Sequence, residues 1–240
     1  MGHSTAQVLE YIADAHEAGA DYLLILPCAY FGKQTTPEVV KSFFADIAAA
    51  SPLPIILYNF PLVCNGLDLD SDIITALAQA HPNIVGVKLT CGSVAKIARL
   101  AATFPPSRFV TFGGQSDFLL GGLAVGSAGC IAAFANVFPK SVARLYRLWE
   151  CGRQEDALAL QQVLSLAEQP TKAGIANTKF AAAIGTARRA GIKDAEILLR
   201  PRKPYVGVPE DQQRRIRETV ARIAKLEDVA RESETAQARL

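Results

Sequence analysis

The chain has 240 residues, half of them hydrophobic and 20% charged, with a formal net charge of +2. That length buries a sizeable core without disulfide staples, the composition excludes disordered, collagen-like and coiled-coil classes, and the near-balanced charge gives no general drive toward nucleic acid. No apolar run reaches the ~18–20 residues that span a bilayer, so no membrane partner is expected.

The predicted elements alternate. A helix spans Thr5 to Ala18, with Val8, Leu9, Ile12 and Ala15 at helical spacing and Gly19 as its stop. A first apolar run, Tyr22–Leu26, reads as a strand. Thr36-Pro37 caps a helix to Ala49, followed by a strand at Ile55–Tyr58. Asp70 or Ser71 opens a helix through Ala80, then comes a strand at Ile84–Lys88. Ser93 caps a helix through Thr103, and further strands are predicted at Phe109–Phe112 and Gly129–Phe134. None of the five runs alternates cleanly between apolar and polar, as expected of strands covered on both faces. Their starts at residues 22, 55, 84, 109 and 129 leave room for one strand and one helix each, so the pattern predicts right-handed βαβ units and a parallel sheet.

Beyond Val137 the pattern is helical. Helices are predicted at Pro139–Glu150, Glu155–Glu168, Ala176–Ala190 and from Glu210 to about Ala230, with a basic, proline-rich connector at residues 200–204. The expected organisation is residues 1–138 as five βα units, 139–230 as a last sheet-covering helix with a helical extension, and 231–240 as a polar tail that frays. A dinucleotide-binding fold needs Gly-x-Gly-x-x-Gly after the first strand. Here the chain reads Pro27-Cys28-Ala29-Tyr30-Phe31-Gly32. A barrel instead puts chemistry at the C-terminal ends of its strands.

Unusual residues sit at those ends. Lys88 finishes the apolar run Ile84-Val85-Gly86-Val87. A lysine in such a place is costly to bury unless paired or neutralised, and a desolvated amine can attack a carbonyl. The competing reading is a lysine that snorkels to solvent. Tyr58 ends the preceding strand and can relay protons, although a core tyrosine with a satisfied hydroxyl fits as well. Gly113-Gly114 precede a helix, where a backbone can approach an anionic group. Cys28, Cys64 and Cys91 lack a histidine base in register and read as small apolar fillers. The five cysteines, with Cys130 and Cys151, contain no Cys-x-x-Cys pair, and no two of the three histidines have ligand spacing. These counts point to a reducing compartment, taken as the cytoplasm, and to no metal.

Taken together, Tyr58-Asn59-Phe60-Pro61, Gly66 and Ile84-Val85-Gly86-Val87-Lys88-x-Thr90 resemble the dihydrodipicolinate synthase/N-acetylneuraminate lyase family of class I aldolases, nearest to its 4-hydroxy-2-oxoglutarate aldolase-like and 2-keto-3-deoxy-sugar-acid aldolase-like members. Gly113-Gly114 and the stretch from Gly129 to Asn136 fall where that family has its seventh and eighth strands. The resemblance implies a TIM (β/α)8 barrel of which strands four to eight are present. It implies an imine between Lys88 and a 2-oxo acid, cleavage to pyruvate and an aldehyde, and proton transfer through Tyr58. It places Thr90, Gly113, Gly114 and the backbone of Ile131 around the keto acid. Tyr30 falls where a second tyrosine crosses a subunit contact. No cofactor is required beyond the covalent imine on Lys88, and a homo-oligomer, a tetramer in the family, is expected.

Departures from the family pattern bear on function. Leu62-Val63-Cys64-Asn65 holds no arginine where synthase members carry one for their second substrate, and Leu89 replaces an acidic residue. Nothing matches the family's glycine–threonine–threonine segment. The reading is therefore of an N-terminally truncated product, with a mitochondrial location open should a segment precede Met1. Three alternatives stay open: an impaired remnant packing on full-length copies, a 4-hydroxy-tetrahydrodipicolinate synthase, and a phosphate-binding barrel.

Overall fold

A computed structural model describes residue 2 and residues 4–237, with side chains described as far as Asp228. Helix α1 (Thr5–Glu17) leads into β1 (Leu23–Ile25), α2 (Pro37–Ala50), β2 (Ile55–Asn59), α3 (Ser71–Ala80), β3 (Ile84–Leu89), α4 (Val94–Thr103), β4 (Val110–Gly113), α5 (Leu119–Ala124) and β5 (Gly129–Cys130). The helix starts follow from local chemistry. Ser4, Thr36, Asp70 and Ser93 each accept a hydrogen bond from the backbone N–H three residues on, satisfying a donor that the first turn leaves free.

The five strands form one parallel sheet in the order β1-β2-β3-β4-β5. Sequential order with every neighbour parallel is the arrangement expected of consecutive βα units. Along β2, Ile55, Leu57 and Asn59 are fully buried while Ile56 and Tyr58 are half-buried. Tyr58 therefore faces the opposite side of the sheet from Asn59.

One predicted element differs. The fifth strand stops at Cys130, and Ala133–Asn136 forms a 3₁₀ turn instead of extending it to Phe134. Asn136 donates from its side chain to the Ala133 carbonyl at 3.0 Å, a local bond of the kind that competes with strand pairing.

The chain divides into two compact units. The first comprises residues 1–114 and 121–130; the second comprises residues 115–120 and 131–240. The second contains α6 (Pro139–Glu150), α7 (Gln154–Glu168), α8 (Ile175–Ala182), α9 (Ala195–Leu198) and α10 (Glu210–Gln237). The helix expected through Ala190 changes pitch, since Ala183–Ala187 is a π-turn. Within that turn Thr186 donates to the Val137 carbonyl at 2.6 Å. Helix α10 runs on to Gln237, past the predicted end near Ala230, and residues 238–240 of the expected frayed tail lie outside the described residues.

Candidate active site

The first unit brings Lys88 and Tyr58 together. They are register partners in the β2–β3 ladder, and the Lys88 Nζ lies 4.0 Å from the centre of the Tyr58 ring. A cation held over the face of an aromatic ring is attracted by its quadrupole. Lys88 is 9% exposed, and among the described residues no carboxylate pairs with it. Phe60 also stacks against Tyr58, with ring centres 5.7 Å apart and planes 26° from parallel. A buried amine without an ion-pair partner, set on a phenol at the C-terminal ends of adjacent strands, is equipped to add to a carbonyl with a proton carrier alongside.

The neighbouring residues close the strand ends. Thr90 N–H donates to the Asn59 carbonyl and Gly114 N–H to the Leu89 carbonyl, each at 2.9 Å, so both ladders continue beyond the strands. Gly113 is the register partner of Leu89 and of Cys130. Thr90 is buried, and its hydroxyl has no hydrogen-bond partner. Gly114 makes room for it: a Cβ built there would lie 1.8 Å from Thr90 Oγ1. The structure thus gathers Lys88, Tyr58, Thr90, Gly113 and Gly114 at one end of the sheet.

Tyr30 stands on the loop after β1 and is 68% exposed, while Ile131 belongs to the second unit and is 37% exposed. Asn65, in the stretch without an arginine, donates from its side-chain amide to the Ala29 and Tyr30 carbonyls at 2.5 and 3.1 Å, joining the loops after β1 and β2. Burial pushes the Cys28 thiol up, against a smaller opposing backbone hydrogen bond. Burial, then the nearby Cys28, pushes the Cys64 thiol up as well. Both move away from the thiolate a nucleophile needs. Among the described residues no group of three or more His, Cys, Asp or Glu could hold a metal ion.

A polar cluster behind the sheet escaped the sequence reading. Lys96 of α4 is 6% exposed and pairs with Asp68. Asp68 also accepts from the Asn59 amide at 2.7 Å, and Asn59 Oδ1 accepts from Leu69 N–H at 2.9 Å. Burial pushes the Asp68 carboxyl up, but the hydrogen bonds from Lys96 and Asn59 and the lysine charge outweigh it and hold the carboxyl below its ordinary value. The signal available in the sequence was Lys96 itself, a charge on the apolar stripe of α4, four residues before Leu100.

Residues 1–223 match the Dihydrodipicolinate synthetase family. The sequence is 61% identical over 225 residues to the "Putative 4-hydroxy-2-oxoglutarate aldolase, mitochondrial" of Coccidioides immitis, a match covering 94% of this chain and 72% of the relative. It is 40% identical over 186 residues to the L-threo-3-deoxy-hexylosonate aldolase of Hypocrea jecorina, covering 74% of this chain and 59% of that one. A solved dihydrodipicolinate synthase family structure from Coccidioides immitis superposes with a TM-score of 0.89 at 57% identity, covering 95% of this chain and 72% of the other. The chain thus spans about three quarters of one relative's length and less than two thirds of another's. The mitochondrial name of the 61%-identical relative overturns the cytoplasmic expectation. Scattered free thiols report a reducing environment, not a particular compartment.

Proposed function

This chain belongs to the dihydrodipicolinate synthetase family, and from that premise we propose that it is a Schiff-base aldolase cleaving 4-hydroxy-2-oxoglutarate, or a 2-keto-3-deoxy sugar acid, to pyruvate and an aldehyde. The observation that carries the reading is the Lys88 amine seated 4.0 Å from the centre of the Tyr58 ring.

In the proposed mechanism the Lys88 amine adds through its lone pair to the C2 carbonyl of the 2-oxo acid, Tyr58 gives its phenolic proton to the departing hydroxyl, and loss of water leaves a protonated imine. Tyr58 takes the proton from the C4 hydroxyl. The C3–C4 bond breaks, its electron pair flows into the imine to give an enamine, and the aldehyde departs, glyoxylate where the substrate is 4-hydroxy-2-oxoglutarate. Protonation of the enamine at C3 and addition of water release pyruvate and restore the amine. The Thr90 hydroxyl and the backbone at Gly113 and Gly114 serve as polar contacts for the bound acid. The names of the two relatives, one acting on 4-hydroxy-2-oxoglutarate and one on a 3-deoxy-hexylosonate, support this substrate class. Asn65 and its apolar neighbours, where synthase members carry an arginine, speak against a dihydrodipicolinate synthase. The reading includes self-association, with the exposed Tyr30 as the residue offered to a second subunit.

Borohydride reduction in the presence of pyruvate tests the proposal. It should fix one pyruvate on Lys88, found by peptide mass, and Lys88→Ala should give none. A chain that is folded by circular dichroism yet yields no adduct overturns it.

A further inference from the structure

We propose that Lys96 is a positioning residue for the reacting pair, acting through Asp68 and Asn59 on the strand ends that carry Tyr58 and Lys88. Its kinetic arm rests on the aldolase reading; its structural arm does not.

The connectivity is specific. Lys96, buried on α4, donates to Asp68 in the loop before α3. Asp68 accepts from the side chain of Asn59, and the same side chain accepts from Leu69 N–H. The Asn59 carbonyl accepts from Thr90 N–H at 2.9 Å. Asn59 directly follows Tyr58, and Thr90 lies two residues beyond Lys88. One run of bonds therefore ties the end of β2 to the end of β3 and anchors both to α4, from the face of the sheet opposite Tyr58. The Cys91 sulfur also lies 4.0 Å from Lys96 Nζ.

A role in stability alone accounts poorly for this arrangement. Burying an ammonium is expensive, and an ion pair of this kind is often matched or bettered by apolar side chains of similar volume. Methionine at position 96 would continue the stripe of Ile97 and Leu100 without desolvating a charge. What methionine cannot do is hold Asp68 against Asn59. Without that hold Asn59 loses its carboxylate partner, and the strand ends keep their backbone ladder but lose the side-chain anchor to α4. Displacements of about 1 Å at reacting groups reduce turnover by about a hundredfold.

The test uses Lys96→Met and Lys96→Arg in the full chain, with far-UV circular dichroism to establish folding. Lysines are labelled briefly with an acylating reagent and quantified by peptide mass, with exposed Lys41 as the internal reference. In Lys96→Met, labelling of Lys88 relative to Lys41 should rise severalfold, and Lys96→Arg, which keeps a cation for Asp68, should return it toward the wild-type value. An unchanged ratio in folded Lys96→Met overturns the proposal, whatever happens to its melting temperature. In the kinetic arm Lys96→Met should lower kcat by about tenfold or more with little change in KM. A loss confined to KM also overturns it. Failure of the wild-type chain to trap pyruvate would sink the aldolase reading, while the labelling ratio would still decide the role of Lys96.

Discussion

Tyr58 and Lys88 occupy directly opposed positions on adjacent parallel strands, and the lysine nitrogen rests over the phenol ring 4.0 Å from its centre. This relationship separates two contributions of the tyrosine: a ring face that seats the amine and a hydroxyl that moves a proton. Tyr58→Phe keeps the first and removes the second. Pyruvate should still be trapped on Lys88 in Tyr58→Phe, while cleavage of 4-hydroxy-2-oxoglutarate falls by about 10²–10⁴-fold, the usual share of a positioned acid–base group. Coupled assay of pyruvate release checks this, and undiminished cleavage would remove the hydroxyl from the mechanism.

Gly114 is required by the close approach of Thr90. A Cβ at position 114 would lie 1.8 Å from Thr90 Oγ1 and 2.6 Å from its Cα, so backbone as well as side chain must move. Gly114→Ala should cost about 1–3 kcal/mol in urea unfolding, the range for overpacking a filled site, and should weaken pyruvate trapping because the shift falls two residues from Lys88. Adding Thr90→Ala removes only the hydroxyl clash and should recover part of the loss. Complete recovery would show that the backbone contact is tolerated.

Much of this architecture was legible because its determinants are local. Ser4, Thr36, Asp70 and Ser93 mark helix starts through a bond to a backbone N–H three residues away, so a short window suffices to place them. Lys88 was visible for a similar reason, as one charge closing an apolar strand. The cluster behind it was not, since Lys96 and Asp68 are separated by 28 positions and meet only once α4 packs. The end of β5 was misplaced because Gly129–Phe134 is apolar throughout, and hydrophobicity does not distinguish a strand from a 3₁₀ turn held by Asn136. The π-turn at Ala183–Ala187 carries a bond from Thr186 to the Val137 carbonyl, 49 positions away, which no local pattern announces.

Glu168 gives the second unit a pH dependence of definite sign. It is buried at the end of α7 and accepts from the Ser116 N–H at 3.0 Å and hydroxyl at 2.6 Å. Burial pushes its carboxyl up, outweighing the Ser116 hydroxyl bond; Asp117 adds to the rise, and the Lys172 charge and Ser116 N–H oppose it. An acid with a raised folded-state pKa binds more protons folded than unfolded. Its contribution therefore favours folding below the ordinary glutamate value of about 4.3 and is lost as pH rises through the folded value. The difference in melting temperature between wild type and Glu168→Gln should accordingly fall as pH is raised from about 4 to about 7. A difference that stays constant or grows would contradict this placement of the carboxyl.

Glu227 supplies α6 with a cap that its own sequence lacks. Helix α6 opens at Phe138-Pro139 with no side-chain cap, and its Lys140 and Ser141 N–H groups donate to the two Glu227 oxygens at 2.9 and 2.8 Å, with the Ser141 hydroxyl at 2.6 Å. Glu227 comes from α10, so the bonds that complete one helix also dock another. Glu227→Ala leaves these donors without an acceptor and should cost about 1–3 kcal/mol, the penalty for a buried unmatched polar group. Glu227→Gln keeps one carbonyl acceptor and gives up the charge at the helix N-terminus, worth about 0.3–1 kcal/mol, so its loss should be smaller. Urea unfolding followed at Trp149, on α6 itself, reads the difference. Equal losses in the two variants would mean that Glu227 acts by its charge rather than as a hydrogen-bond acceptor, because the glutamine preserves the acceptor and only the alanine removes it.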